Sequence, residues 1–184
     1  MILGILLIAA LPLLAQNDFP RAQVFGGYSY VSADFQGASG RQSLNGWNGQ
    51  ASVNFNKWLG ITGDFGGYYG SVREKVEGVP VNISFHDYSF LFGPTLTYRT
   101  EHVAPFFHAL FGGNNLSGSA SILGISGSKS TTAFAMAFGG GLDLPVGEHF
   151  GVRLAQVDWV RTQNFNSSQN NIRLSTGIMF NFGK

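Results

Sequence analysis

The sequence predicts an all-β chain, an eight-stranded antiparallel up-and-down transmembrane β-barrel. Three observations carry that prediction. After Pro20, large apolar residues alternate with small or polar ones at period 2. Charged residues are only 11% of the chain, against about 25% in an ordinary soluble domain, while 26 of 184 residues are glycine and 17 are phenylalanine. The segments between the alternating runs are by turns short and long.

Composition excludes several alternatives. Eleven basic against ten acidic residues leave a formal charge of +1, so a nucleic-acid partner has no electrostatic footprint. An aromatic content of 14% argues against a disordered chain. No apolar run reaches the ~20 residues of a transmembrane helix. The chain has no cysteine, which removes disulfides and thiolate metal sites and is compatible with an oxidising compartment.

Met1 to Ala15 reads MILGILLIAALPLLA, without a charge. Such a run is too short to span a bilayer and suits the core of a secretory signal peptide. A buried helix would need a polar face, which this run lacks. Residues 1–15 are therefore expected to be a signal peptide and 16–184 the barrel, with the mature chain starting near Gln16.

The alternation places strands near Gln23–Ser32, Leu44–Phe55, Leu59–Gly70, Ile83–Arg99, Pro105–Gly113, Thr132–Leu144, Phe150–Arg161 and Asn171–Phe182. In the second, Trp47, Gly49, Ala51, Val53 and Phe55 share one face and Asn48, Gln50, Ser52 and Asn54 the other. The third sets Leu59, Ile61 and Phe65 against Thr62, Asp64 and Tyr68. The fourth sets Tyr88, Phe90, Phe92, Leu96 and Tyr98 against Asp87, Ser89, Leu91, Thr95 and Arg99. The fifth turns His108 inward. The seventh needs a bulge near Ala155–Gln156 if Arg153 and Asp158 are to share a face. The eighth sets Ile172, Leu174, Ile178, Phe180 and Phe182 against Arg173, Ser175 and Asn181.

The polar face is made of side chains too small to shield a barrel from water. A soluble barrel would cover its outside with Lys and Glu. The reverse assignment, apolar face to lipid and polar face to a narrow lumen, is that of a transmembrane barrel. Aromatic residues gather at both strand ends: Trp47, Tyr69, Phe134 and Trp159 at one, Phe55, Tyr98, Phe107, Phe150 and Phe182 at the other. Two interfacial girdles are expected of such a barrel. The connections at 56–58, 100–104 and 145–149 are short, whereas 33–43, 71–82, 114–131 and 162–170 are long and polar. Short periplasmic turns and longer extracellular loops have this rhythm. The Ser/Gly-rich stretch Ser117–Ser128 is expected to be a flexible part of the third long loop.

Val24–Tyr30, Phe92-Gly-Pro94, Phe138–Asp143 with Val152-Arg153, and the last strand Asn171–Phe182 carry a family likeness. The chain resembles the small bacterial outer-membrane β-barrel proteins, similar to the membrane domain of outer membrane protein A and to outer membrane protein X. The resemblance implies location in the outer membrane, contact with its lipids, and aromatic residues of the last strand, here Phe180 and Phe182, read by the barrel-assembly machinery.

Candidate functional residues lie mainly inside. Arg or Lys facing lipid at mid-bilayer costs ~2–4 kcal/mol, so Asp64, Asp87, Arg99, Asp143, Arg153, Asp158 and Arg173 are expected in a lumen network. The short turn at Pro145 brings Asp143 near Arg153, and the bulge would let Asp158 meet Arg173. No cofactor or metal site is expected. The glycine runs do not precede a helix, so no nucleotide loop is indicated. The histidines lack metal-site spacing. A lipid A-modifying enzyme is disfavoured because alternation sends His86 and Asp87 to opposite faces. The expected function is structural or surface-interactive, by a monomer with a filled lumen and four polar loops. A narrow channel or small-solute carrier is the alternative. Loop residues Gln36, Arg41, Asn166 and Gln169 form no recognised ligand motif.

Overall fold

The computed structural model describes residues 19–34, 40–76, 79–122, 125–164 and 167–183. The expected signal peptide, Gln36 and Asn166 lie outside them. The alternating runs become β1 (Ala22–Ala33), β2 (Gln42–Asn54), β3 (Leu59–Val76), β4 (Val79–Thr97), β5 (Ala104–Ile122), β6 (Ile125–Pro145), β7 (Phe150–Asn164) and β8 (Ser167–Phe182). Each pairs antiparallel with its neighbour, and β8 pairs with β1 to close the barrel. Closure satisfies the backbone groups that an open edge would leave bare in lipid. At the seam Gly27 is opposite Gly177, and a Cβ on Gly27 would lie 2.1 Å from the Thr176 carbonyl oxygen. Only glycine fits so close an approach.

The faces separate as the alternation requires. Val53, Ile61, Phe65, Phe92, Leu96, Leu174 and Ile178 are exposed on the outside. Asn48, Gln50, Thr62, Asp64, Asp158 and Arg173 are buried inside. Tyr28, Trp47, Tyr69, Tyr88, Phe134 and Trp159 ring the end away from the chain termini, and Phe55, Tyr98, Phe107, Phe150 and Phe182 ring the terminal end.

The bulge is on β7. Arg153 and Gln156 pair with Gly177 and Ser175, so three steps on β7 match two on β8. On the other side Leu142 pairs with Ala155 and Asp143 with Arg153. The extra residue leaves Leu154 and Ala155 both facing outward, and Arg153 and Asp158 both inside.

The long connections differ from expectation. Three of them are mostly strand. The β3–β4 ladder runs to Val76↔Val79, β5–β6 to Ile122↔Ile125, and β7–β8 to Asn164↔Ser167. The Ser117–Ser128 stretch, expected to be flexible, falls mostly within the paired β5–β6 hairpin. Small polar residues read as linker in sequence, yet nothing in them prevents a ladder once a hairpin sets the register. Strands β3 to β6 have 18, 19, 19 and 21 residues, against 12, 13, 15 and 16 in β1, β2, β7 and β8. Pairing of β2 with β3 reaches Tyr69, and that of β6 with β7 reaches Phe134. Beyond those points, among the described residues, β3–β6 continue as a four-stranded sheet outside the closed part of the barrel.

The interior is divided along the axis. Near the far end two apolar clusters fill it, one of Leu91, Leu110, Ala135, Ala137 and Val160, the other of Val31, Ala33, Leu44 and Tyr68 with Phe85 against it. Toward the termini the contents are mostly amides, hydroxyls and charges, with Phe25, Phe106 and Met179 buried among them.

Candidate functional site

Arg173 holds the centre of the lumen and is 1% exposed. Its Nε donates to Asp158 Oδ2 at 2.8 Å, and its Nη1 and Nη2 donate to the two Asp64 oxygens at 2.8 and 2.9 Å. Nη1 also donates to the Tyr68 hydroxyl at 2.9 Å. Asp158 sits opposite Arg173 in the β7–β8 register, whereas Asp64 reaches it from β3, on the other side of β1 and β2. The guanidinium fork matches such bidentate pairing.

A second ion pair lies nearer the termini. Arg153 Nε and Nη2 donate to the two Asp143 oxygens at 2.7 and 3.0 Å. The Arg153 guanidinium carbon is 4.3 Å from the Phe25 ring centroid and 4.1 Å from that of Phe106, a cation–π sandwich. Amides join the two centres. Gln50 accepts from Arg153 Nη1 at 2.6 Å and donates to Asp64 Oδ2 at 2.7 Å. Gln156 accepts from the same Nη1 at 2.6 Å and donates to Asp158 Oδ2 at 2.7 Å. His108 Nε2 completes the Asp158 shell at 2.7 Å. Buried charges of both signs are thus paired and hydrogen-bonded, the condition under which they are tolerated.

Two of the seven charges stand apart. Asp87 is buried on β4, but among the described residues it has no cation partner; Asn114 Nδ2 donates to its Oδ1 at 2.6 Å. Arg99 lies outside the strand expected to carry it, because β4 stops at Thr97. It bends over the terminal mouth, donating to the Lys57 carbonyl at 2.6 Å and Gln23 Oε1 at 2.9 Å. Burial lowers its pKa, opposed by attraction to Asp143. Asn48, Gln50 and Gln156 belong to the network beyond the expected charges; inward alternation on β2 was the one sequence signal for Asn48 and Gln50, and Gln156 on β7 was marked only as the place of the bulge.

Below Arg173 the hydroxyls of Ser52, Thr62 and Thr95 form a chain with spacings of 2.8 and 2.7 Å. The cavity beside them has a volume of about 20 Å³. That is room for about one water molecule, not for a solute. His86 packs edge-on against Tyr69 on the outside while Asp87 is buried inside, so they form no acid–base pair. Among the described residues no three His, Cys, Asp or Glu side chains gather as a metal site. Phe180 and Phe182 are exposed on the outer face of β8, Phe180 edge-on to Phe150 at 5.8 Å between centroids.

A closed eight-stranded antiparallel barrel with an apolar exterior, two aromatic girdles and a charged interior is a transmembrane barrel of the bacterial outer membrane. The chain belongs to the outer membrane protein beta-barrel domain family, matching it over residues 1–183. Among solved structures it is similar to Ail, the attachment invasion locus protein of Yersinia pestis, with 21% identity, a TM-score of 0.63, and coverage of 88% of this chain and 99% of that one. A second structure of Ail, in complex with the heparin analogue sucrose octasulfate, gives 21% identity, a TM-score of 0.62, and coverage of 86% and 97%. Neisserial surface protein A gives 15% identity, a TM-score of 0.61, and coverage of 90% and 100%. No curated protein matches the chain. These likenesses concern the fold. In outer-membrane barrels as a class, short turns are periplasmic and longer loops extracellular.

Proposed function

We propose that this protein is a surface-interaction barrel, anchored by its apolar belt and closed inside, that acts through the sheet formed by β3–β6. The observation that carries the reading is the length of those four strands. A tilted transmembrane strand needs about 9–11 residues, so 18 to 21 leave a surplus of roughly eight or more on each. Thr131 and Thr132 are consecutive and both exposed. Both faces of the sheet therefore meet water there, as in a structure built for contact rather than for enclosure. The outer segments carry Arg41, Arg73, Lys75, Lys129 and Arg161 against Asp34, Glu74 and Glu77, a surplus of two positive charges. A sulfated polysaccharide is thus one ligand class to test, in line with the heparin analogue bound by Ail.

The remaining parts of the reading rest on the sequence and on the family likeness. Residues 1–15 direct export and are removed, which intact-mass measurement of the membrane-inserted protein reads directly. Phe180 and Phe182 serve recognition by the assembly machinery, and the barrel works as a monomer. Outer-membrane vesicles carrying the intact protein should bind immobilised heparin. Vesicles in which 73–82 and 117–130 are each replaced by a two-residue Asn-Gly turn, which leaves the register partners Val72–Ile83 and Leu116–Thr131 flanking it, should not, while keeping a heat-modifiable folded barrel. Equal binding by both would sink the reading.

A further inference from the structure

We propose that the small cavity inside the lumen binds one water molecule on His108 Nδ1, and that this site takes up a proton for the closed core.

Three observations lead there. The first is a ring nitrogen without a partner. His108 is 1% exposed and lines the cavity. Its Nε2 lies 2.7 Å from Asp158 Oδ1. An ionised carboxylate only accepts, so Nε2 bears a hydrogen. Nδ1 is also buried, and among the described residues it has no hydrogen-bond partner. Buried polar groups in native proteins find one, in the protein or in ordered water. The second observation is the space beside the ring. Its volume of about 20 Å³ exceeds the roughly 10–15 Å³ that a water needs. Thr95 is opposite His108 in the β4–β5 register, and its Oγ1 is 2.7 Å from Thr62 Oγ1, which is 2.8 Å from Ser52 Oγ. These hydroxyls rotate to donate or accept, so a water there has the polar neighbours that hold a buried water.

The third observation is charge. Asp64, Asp143 and Asp158 face Arg153 and Arg173, which leaves one negative charge in excess. Counting Asp87 and Arg99 adds one of each sign and leaves the excess unchanged. Uncompensated buried charge is costly. His108, in contact with Asp158, is the side chain there that can gain a positive charge. The charged groups around it are Asp158 and Arg153 on β7, Asp143 on β6 and, beyond Asp158, Arg173 on β8 and Asp64 on β3. Strands β1, β2 and β4 line the cavity with uncharged side chains. A water serves both states of the ring: it donates to a bare Nδ1 and accepts from a protonated one. The route runs from the vestibule at the terminal mouth, whose wall shares Gln23 and Met179 with the cavity. On uptake the Nδ1–H bond forms, an O–H bond of hydronium breaks, and a neutral water stays in the site. Toward the far end Leu91, Leu110 and Val160 close the path.

The variant His86→Gln, His102→Gln, His149→Gln keeps His108 as its one histidine. With nitrogen-15-labelled histidine in lipid nanodiscs, it should show an NMR cross-peak between water and the His108 ring. Its Nδ1 signal should move from the bare to the protonated position as pH falls, with the barrel still folded. Thr62→Val with Thr95→Val removes the hydroxyls at nearly the same shape, and should slow exchange of the ring proton with solvent by at least about tenfold. Gln23→Ala, which opens the way from the vestibule, should speed it. Absence of the water cross-peak in a folded barrel would make the cavity dry and overturn the water site. An Nδ1 that stays bare at every pH at which the barrel is folded would overturn proton uptake. Exchange unaffected by either set of changes would overturn the route.

Discussion

His108 Nε2 lies 2.7 Å from Asp158 Oδ1, although the two residues are on strands that do not pair, β5 and β7. Between them runs β6, where Gly139 is opposite His108 on one side and Asp158 on the other. Backbones two strands apart are roughly 10 Å from each other, so the side chains meet only by leaning over a residue without one. A Cβ at Gly139 would lie 2.1 Å from Asp158 Oδ1.

Gly139→Ala is therefore expected to push Asp158 away from both His108 and Arg173. Overpacking of this kind typically costs ~1–3 kcal/mol, and a weakened buried ion pair moves the total toward the upper part of that range. Gly113→Ala is the control, because its added methyl meets nothing closer than 3.6 Å. It should stay within ~0.5 kcal/mol. Urea unfolding from lipid vesicles compares the two, and equal stabilities would show that Asp158 has room to move.

Asp143 and Arg153 should be energetically coupled. Both are almost fully buried and share two hydrogen bonds. Removing one partner of a buried pair typically costs ~3–5 kcal/mol, chiefly because the other charge is stranded. The polar neighbours Gln50 and Gln156 lessen that figure here. The double alanine variant should consequently lose less stability than the two single losses added together. Simple additivity in a double-mutant cycle would mean the pair contributes nothing as a pair.

How far these contacts are legible in sequence depends on how local they are. The short turn after Pro145 dictates that β6 and β7 run back beside each other, which brings Asp143 to Arg153. The Asp158–Arg173 pair needs one extra inference, the bulge, which follows from the rule that charges avoid lipid. Asp64 on Arg173 is not legible, because two strands lie between β3 and β8 and the contact exists only inside the closed barrel. The same holds for His108 over Gly139. Gln50 and Gln156 read merely as polar inward residues, since an amide has no sign to match. Arg99 misleads because alternation continues past Thr97 in the sequence while the ladder does not. The long hairpins are hidden for the opposite reason: Ser, Gly and Thr mark loops by composition, whereas register is a property of pairs.

Depth on the outer wall should grade the cost of a charge. On β4, Phe92 lies between the girdle residues Tyr88 and Tyr98, whereas Leu96 is two residues from Tyr98. Phe92→Arg is expected to destabilise the inserted barrel by ~2–4 kcal/mol and Leu96→Arg by less, since the guanidinium reaches the interface. Ser52→Arg, facing the lumen near the periplasmic vestibule, escapes the lipid penalty. Folding titrations into vesicles give the order, and a larger loss at Leu96 than at Phe92 would displace the membrane plane along the barrel.

The lumen should not conduct. An eight-stranded barrel has an interior only wide enough for side chains to fill. Here the filling is of two kinds in series: the Arg173 and Arg153 centres, and outside them the packed Leu91–Leu110–Val160 cluster. An ion entering from the periplasm meets a cavity of about 20 Å³ and then a paired guanidinium. One entering from outside meets apolar side chains that give it no replacement for its hydration shell. The two barriers are independent, so loosening one should leave the other closed. Arg173→Ala is expected to lower stability by stranding Asp64 and Asp158, yet to show no steady current in planar bilayers. Arg173→Ala combined with Leu91→Ala and Leu110→Ala should raise the frequency of brief openings. Large, stable channels from the intact protein would reverse the argument, because a permanent pore cannot pass both barriers as they stand, and would make solute passage its function.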